Sequence, residues 1–393
     1  MLLALLGALI LAPVFWLVVP EPRRRDALTV VSLVALGMID PRLLVLVLIV
    51  SVGVWWAVGI LASGRVARRW LVAVPGIGML VGLFALNKLT GGGGLLPSQG
   101  GLLFLGVSYL VLKASAALVD AARGTLREAS FREMLAWIVF LPTYTAGPIE
   151  AFDHFRDQRP RPSLEQILGG VERILFGLVK TMLLSHYLGV WVTPVLAEPA
   201  AHGPGVLLLA AYASILRFYF DFSGYSDIAI GVSALFGIEI QENFDNPLIR
   251  RNLAQLWLRW HMTFTAWLRR YLFLPISRGI LGPGGVTRDT LALVSAQVVT
   301  MTFCGLWHGL GWNFLVWGLL QALGLIWVGR PARALGRYLP SSVRAFWRES
   351  WLGYVLSAAI TFHYFALTSV LVFTGIERAG VYAVSLLAPL LGR

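Results

Sequence analysis

The chain has a single cysteine, few charged residues and no tandem repeat, and each scarcity excludes something. With Cys304 alone, neither an internal disulfide nor a multi-cysteine metal site can form. Charged residues are only 13% of the 393, against 58% hydrophobic, and the mean hydropathy is +0.75. Ordinary soluble domains are about half apolar and about a quarter charged, so that class is excluded. No repeat period and no inverted duplication of motifs is visible, which weighs against a repeat-built secondary transporter. The first segment lacks a basic n-region and a small-residue cleavage site, and is read as a retained helix, not a signal peptide. Nothing marks off a soluble domain, so a single integral-membrane domain over 1–393 is expected.

What the sequence does contain is apolar runs near the roughly 20 residues that cross a bilayer. They cover 1–20, 42–63, 70–89, 101–121, 166–196, 205–220, 288–306, 312–328, 350–374 and 377–391, with shorter runs at 27–39, 131–147 and 222–238. These predict an all-α polytopic membrane protein of about ten to thirteen transmembrane or re-entrant helices, one per run. The formal net charge is +12, but nucleic acid is not needed to explain it. The arginines cluster at the ends of apolar runs, where the positive-inside rule places them: Arg23, Arg24 and Arg25 after the first run, and Arg65, Arg68 and Arg69 after a hairpin turning at Asp40-Pro41. Gly91 to Gly101 then becomes an outer loop. The basic, proline-broken stretch from Phe152 reads as a cytoplasmic connection, with His154 a solvated loop residue.

Polar chemistry concentrates between residues 217 and 313. In Asp221-Phe-Ser-Gly-Tyr-Ser-Asp227 the carboxylates are six apart, whereas neighbours on a helix face are three or four apart, so no metal site is expected. Arg217 is expected to pair with Asp221, since buried charges are normally paired, and Ser223, Gly224 and Ser226 permit close helix approach. Glu242-Asn-Phe-Asp-Asn-Pro247 reads as a loop whose side chains either tie up local backbone or face a substrate. It leads into 253–273, where Trp257, His261, Thr265 and Leu268 form one helical stripe and Arg259, Thr263, Ala266 and Arg270 another. The arginines of this stretch, Arg259 and Arg269 among them, either lie among lipid headgroups or bind a phosphorylated donor, for which guanidinium is suited. His308, between Trp307 and Gly309, sits where glycine lets backbone or substrate approach closely. Cys304, one turn earlier, is read as a small buried residue, not a nucleophile. His363 is read as structural. An imidazole exchanges protons near neutral pH, and a polar group at bilayer depth is costly enough to suggest a task, so His261 and His308 are the leading candidates.

Four stretches in order, Asp221-Phe-Ser-Gly-Tyr-Ser-Asp227, Glu242-Asn-Phe-Asp-Asn-Pro247, Trp257-Leu-Arg-Trp-His-Met-Thr-Phe264 and Gly305-Leu-Trp-His-Gly309, resemble the membrane-bound O-acyltransferase family. Within it the likeness is to the bacterial branch with alginate O-acetylation and teichoic-acid D-alanyl transfer proteins. Gly106-Val-Ser-Tyr109, Leu141-Pro-Thr-Tyr-Thr-Ala-Gly-Pro-Ile-Glu150 and Thr361-Phe-His-Tyr-Phe365 extend it over about residues 30 to 375. The resemblance implies helices around a central tunnel and transfer of an acyl group, acetyl above all, from a cytoplasmic thioester to a hydroxyl of an extracytoplasmic polysaccharide or envelope polymer. The donor would be acyl-CoA or an acyl-carrier protein, used as substrate, with no bound cofactor or metal. D-alanyl transfer from a carrier protein is the alternative within the branch.

By the same resemblance His308 is the essential histidine and His261 the second functional one. A neutral imidazole at 308 suits a general base, with His261 orienting the donor or stabilising the oxyanion. Trp257, Trp307 and Trp312 would shape the tunnel, and Asn243 and Asn313 would make polar contacts. The setting implied is the bacterial cytoplasmic membrane, crossed many times, with membrane lipid and a periplasmic or extracellular acyltransferase as partners. The chain departs from the pattern at Trp267-Leu-Arg-Arg-Tyr271, where many members carry an acid in place of Arg270. A different class, a proton-coupled transporter or lipid flippase, would relay protons through the same histidines and aspartates. It predicts charge pairs in symmetry-related broken helices, whereas the polar motifs here lie in one region.

Overall fold

The computed structural model describes residues 12–64, 67–90, 106–158, 160–280 and 285–391. Among these all regular secondary structure is helical, with no strand. Five helices are long and apolar enough to cross a membrane: Pro41–Ala62, Trp70–Leu89, Pro204–Leu235, Asp289–His308 and Trp351–Thr374, with Trp312–Val328 a shorter apolar helix. The protein is a multi-pass membrane protein, as its composition requires. The Gly91 to Gly101 loop expected on the outside lies outside the described residues.

The chain packs as two compact units, residues 1–178 with 225–242 and residues 179–224 with 243–393. In the first, helices Arg24–Ile39 and Pro41–Ala62 form the hairpin expected at Asp40, whose side chain accepts from the Arg42 N–H at 2.8 Å and caps the second helix. Along that helix Leu43, Val47, Ser51, Val54, Val58 and Leu61 are buried, at spacings of three and four. Val45, Ile49, Val52 and Trp56 point outward. A helix apolar all round with only one stripe against protein turns the rest to lipid. Ser51 remains satisfied inside by donating to the Val47 carbonyl at 2.7 Å.

Several apolar runs fold differently from one helix per run. Run 131–147 becomes the nine-residue helix Phe131–Val139 and a 3-10 turn at Leu141–Thr143, because Pro142 stops a regular helix. Run 166–196 divides into Leu164–Leu178, a π-helical stretch Val179–Ser185 and His186–Ala197. Conversely, runs 205–220 and 222–238 join in the 32-residue helix Pro204–Leu235. In the second unit, Gly285–His308 and Trp312–Val328 form a tight antiparallel pair. A Cβ on Gly305 would lie 2.2 Å from the Phe314 carbonyl oxygen, and one on Gly318 2.4 Å from that of Met301. Only glycine permits this backbone contact.

Candidate functional site

Residues 253–273 do not form the single amphipathic helix that the spacing predicts. The structure has Leu253–Trp257, a break, Met262–Leu268 and a π-helical stretch Arg269–Phe273. The break is at His261, whose φ of 45° is left-handed, a region non-glycine residues enter uncommonly, with Asn, Asp and His enriched there. The 243–247 loop holds the break in place. The Asn243 main-chain oxygen accepts from the Met262 N–H at 2.8 Å, and its side-chain Oδ1 accepts from Thr263 Oγ1 at 3.0 Å and from the Thr263 N–H at 3.4 Å. Two donors of the new helix's first turn, otherwise orphaned, are thereby satisfied. Trp257 and His261 consequently belong to different helical segments instead of one stripe.

The same Asn243 oxygen lies 3.0 Å from His261 Nδ1. A backbone N–H can only donate, so the Thr263 contact identifies this atom of Asn243 as oxygen, and His261 Nδ1 must carry its proton to donate to it. In the neutral ring Nε2 then presents a lone pair, and this buried atom has no hydrogen-bond partner among the described residues. His261 is 2% exposed and Asn243 fully buried. Burial, and secondarily the neighbouring His308, hold the His261 pKa well below its usual value, so the neutral tautomer is the resting form.

Aromatic rings enclose the two histidines. Phe222 stands edge-on to His261 with centroids 4.7 Å apart, and Phe264 lies at 5.0 Å. Trp307 reaches both, 6.1 Å from His261 and 4.9 Å from His308. His308 closes the Gly285–His308 helix, half-buried, with Trp317 at 5.4 Å. Trp257 is buried against Trp317 and donates from Nε1 to Gln321 Oε1 at 3.3 Å, while Gln321 Nε2 donates to Thr368 at 2.8 Å. His261, His308, Asn243, Trp257 and Trp307 thus form one neighbourhood in the second unit.

The other expected residues sit elsewhere. Arg259 is ion-paired with Asp245 and bonds to it through the backbone; Arg269 is exposed on the π-helical stretch. Asn313 donates to the Leu371 carbonyl at 3.1 Å, tying two helices. Trp312 is 72% exposed and lines nothing internal. The room beside Gly309 is filled by the Phe314 ring, 2.2 Å from where a Cβ would stand, so this glycine admits a helix side chain, not a substrate. Arg217 does not pair with Asp221: it donates to Thr193 Oγ1 at 3.3 Å, while Asp227 accepts from Arg173 Nε at 2.7 Å, whose other nitrogens grip Glu242 at 2.5 Å. His154 is not simply solvated, since its Nδ1 contacts the buried Glu150. Cys304 is buried, and His363 accepts or donates at 2.7 Å with Tyr212 as a structural contact. No group of three or more His, Cys, Asp or Glu suited to a metal occurs among the described residues.

Sequence reasoning missed Phe222, Phe264, Thr263 and Gln321. Gln321 carried a legible signal, an amide in the middle of the apolar stretch Trp312–Val328; the aromatic rings carried none that separates them from ordinary core.

The sequence model of the membrane-bound O-acyltransferase family matches residues 44–338, a span that contains both histidines and Asn243. The chain belongs to the membrane-bound O-acyltransferase family. Among curated relatives, a teichoic acid D-alanyltransferase of Streptococcus thermophilus is 32% identical over 58% of this chain and 57% of its own length. The probable alginate O-acetylase AlgI of Pseudomonas fluorescens is 29% identical over 79% of this chain and 62% of its own length. A peptidoglycan O-acetyltransferase of Helicobacter pylori is 30% identical over 50% of this chain and 37% of its length. The chain therefore spans less than two thirds of the length of each of these relatives.

Proposed function

We propose that this membrane-bound O-acyltransferase family protein moves an acyl group, acetyl in the first instance, from a thioester to a hydroxyl of an envelope polysaccharide or related polymer. The observation that carries the reading is the pair of histidines held in one aromatic enclosure, with the Nε2 lone pair of His261 left open. His308 is the general base. As the acceptor oxygen attacks the thioester carbonyl, its proton passes to the His308 imidazole. The C–O bond forms, the tetrahedral intermediate collapses, the C–S bond breaks, and the imidazolium returns the proton to the departing thiolate. Proton transfer of this kind contributes about 10²–10⁴-fold to rate.

The tautomer of His261 narrows its part. A neutral ring that donates from Nδ1 to Asn243 has no proton at Nε2 to offer an oxyanion, so its role is to accept a hydrogen bond. The amide N–H groups on the pantetheine arm common to coenzyme A and acyl-carrier proteins are suitable donors, so His261 orients the thioester. Trp257 and Trp307 are walls of the enclosure. Arg269, exposed, remains available to a phosphorylated donor, whereas Arg259 would have to exchange its ion pair with Asp245 to reach one. The setting is the bacterial cytoplasmic membrane, with the donor supplied from the cytoplasm, the acceptor outside, and a periplasmic or extracellular acyltransferase as a partner. Similarity to the Streptococcus thermophilus protein favours D-alanyl as the second choice of acyl group.

The test is acyl transfer by purified protein from a radiolabelled thioester, compared with His308→Ala. We expect transfer to fall by about 10²–10⁴-fold. Equal transfer by both proteins would remove His308 from the chemistry, and proton-coupled solute flux in vesicles without transfer would favour the transporter class. Mass spectrometry of envelope polymers from a deletion strain then separates loss of ester-linked acetyl from loss of D-alanine.

A further inference from the structure

A second polar feature of the second unit is not used by this chemistry. Helices His186–Ala197, Trp351–Thr374 and Ile376–Leu387, with the middle of Pro204–Leu235, border a partly open pocket of about 290 Å³ lined by Thr193, Phe218 and the exposed side chains of Arg217, Asp221 and Arg378 among others. Arg217 and Asp221 lie within a candidate membrane span, about 20 and about 25 Å along the helix from its start at 1.5 Å per residue. Charged side chains at such positions are costly and are normally neutralised by one another. Here the arginine and the aspartate one turn later line the same cavity without pairing. Neither arginine has a carboxylate ion-pair partner among the described residues. The fold also makes room for Arg217: a Cβ on Gly189 would stand 3.0 Å from its Nε, so the neighbouring helix is glycine where the guanidinium lies.

The cavity adjoins the histidine enclosure through aromatic side chains. Phe218 in its wall lies 6.0 Å from Phe222, centroid to centroid, and Phe222 is the ring that stands against His261. Two guanidinium groups against one carboxylate leave an excess of positive charge, and the planar donor fork matches a carboxylate or phosphate oxyanion. The carboxylate of Asp221 is an acceptor for a hydroxyl hydrogen. The volume is at the foot of the range of about 300–1,000 Å³ for small-molecule sites, enough for one polymer unit and too small for a lipid with its chains.

Resting on the acyl-transfer reading, we infer that this cavity is the acceptor subsite and that the acceptor is an acidic polymer. Arg217 and Arg378 hold a carboxylate or phosphodiester oxyanion of one unit, and Asp221 accepts from one of its hydroxyls. The positioned chain then presents its reacting hydroxyl at the histidine enclosure.

Binding needs no thioester, so it is measured apart from transfer. The purified full-length chain in neutral detergent is titrated calorimetrically with a polyuronate oligosaccharide, a glycerol-phosphate oligomer and a neutral glucan of equal length. At least one acidic oligomer should bind about tenfold or more tightly than the glucan, weakening as salt rises, and Arg217→Gln and Arg378→Gln should each cost about tenfold, as for a charged hydrogen bond. The selectivity and salt dependence of the unaltered protein decide the matter even if a variant does not fold. Equal affinity for acidic and neutral oligomers overturns the proposal. So does arginine-dependent binding of a short-chain anionic phospholipid with no binding of either acidic oligomer. Selective acidic binding in a protein that transfers no acyl group would retain the subsite and remove the acyl-transfer reading.

Discussion

Lys113 is buried in the first unit with its ammonium donating to the Trp137 carbonyl at 3.1 Å and to Thr143 Oγ1 at 3.2 Å, whereas His261 is buried in the second with one ring nitrogen bonded and the other open. Glu150, whose charge acts on the lysine, is likewise hydrogen-bonded. Its carboxylate accepts from the Gln241 N–H at 3.1 Å and contacts His154, and its carbonyl accepts from Trp137 Nε1 at 2.9 Å. Both clusters place ionisable groups among apolar side chains, and both fix an irregular segment, 140–151 in one case and 243–261 in the other. The difference is in what remains unspent. A buried cluster whose ionisable groups are bonded to backbone and neighbouring side chains specifies structure, while an open acceptor in an equally dry setting is available to a ligand. Burial of a polar residue is therefore a weaker sign of function than an unused bonding atom on it.

The comparison can be broken by exchanging the expected effects. Asn243→Ala should give the largest. Without its oxygen the His261 tautomer is no longer fixed, and transfer per folded molecule should fall by about 10–100-fold, as when the outer partner of a functional histidine is removed. Undiminished transfer would show that the tautomer does not matter. Lys113→Met should do the reverse, lowering stability by about 1–3 kcal/mol because the buried Trp137 carbonyl and Thr143 hydroxyl lose their donor, while transfer per folded molecule stays within about twofold. A thermal melt paired with an activity assay reads both, and a large activity loss without a stability loss would place Lys113 in function.

Gly305→Ala sharpens the packing side. Its methyl meets the Phe314 carbonyl, so a loss of about 1–3 kcal/mol is expected from overpacking, again by thermal melt. The smallest effect concerns Glu150, whose pKa burial raises. A folded pKa above the unfolded one favours the protonated acid in the native state. That contribution is complete below the unfolded pKa and is lost as pH rises through the folded one. Glu150→Gln should therefore lose less stability than the parent between acid and neutral pH, and parallel curves would count against it.

Much of this was legible in the chain. Apolar runs of about 20 residues require a helical membrane protein, since that is the length at which a helix crosses a bilayer, and the histidines stood out because each interrupts an apolar stretch. Asn243 was visible as a polar residue in a loop, but not as the partner of His261. The stripe drawn through Trp257, His261 and Thr265 failed for a specific reason: helical spacing assumes that backbone hydrogen bonding continues, and Asn243, from another part of the chain, takes over the donors at Met262 and Thr263. The Arg217–Asp221 pair failed similarly, because spacing allows contact without requiring it, and Thr193 supplied another partner. Local pattern does not register a bond made by a distant residue.

The left-handed backbone at His261 also limits which residues evolution or the laboratory can place there. Asparagine, aspartate and glycine enter that conformation with least strain, while valine or isoleucine would have to rebuild the segment, and Asn243 with it. Saturation mutagenesis at this position would thus mix two constraints, one on backbone shape and one on the imidazole. Asparagine, which keeps the shape and removes the ring, is the replacement that isolates the second.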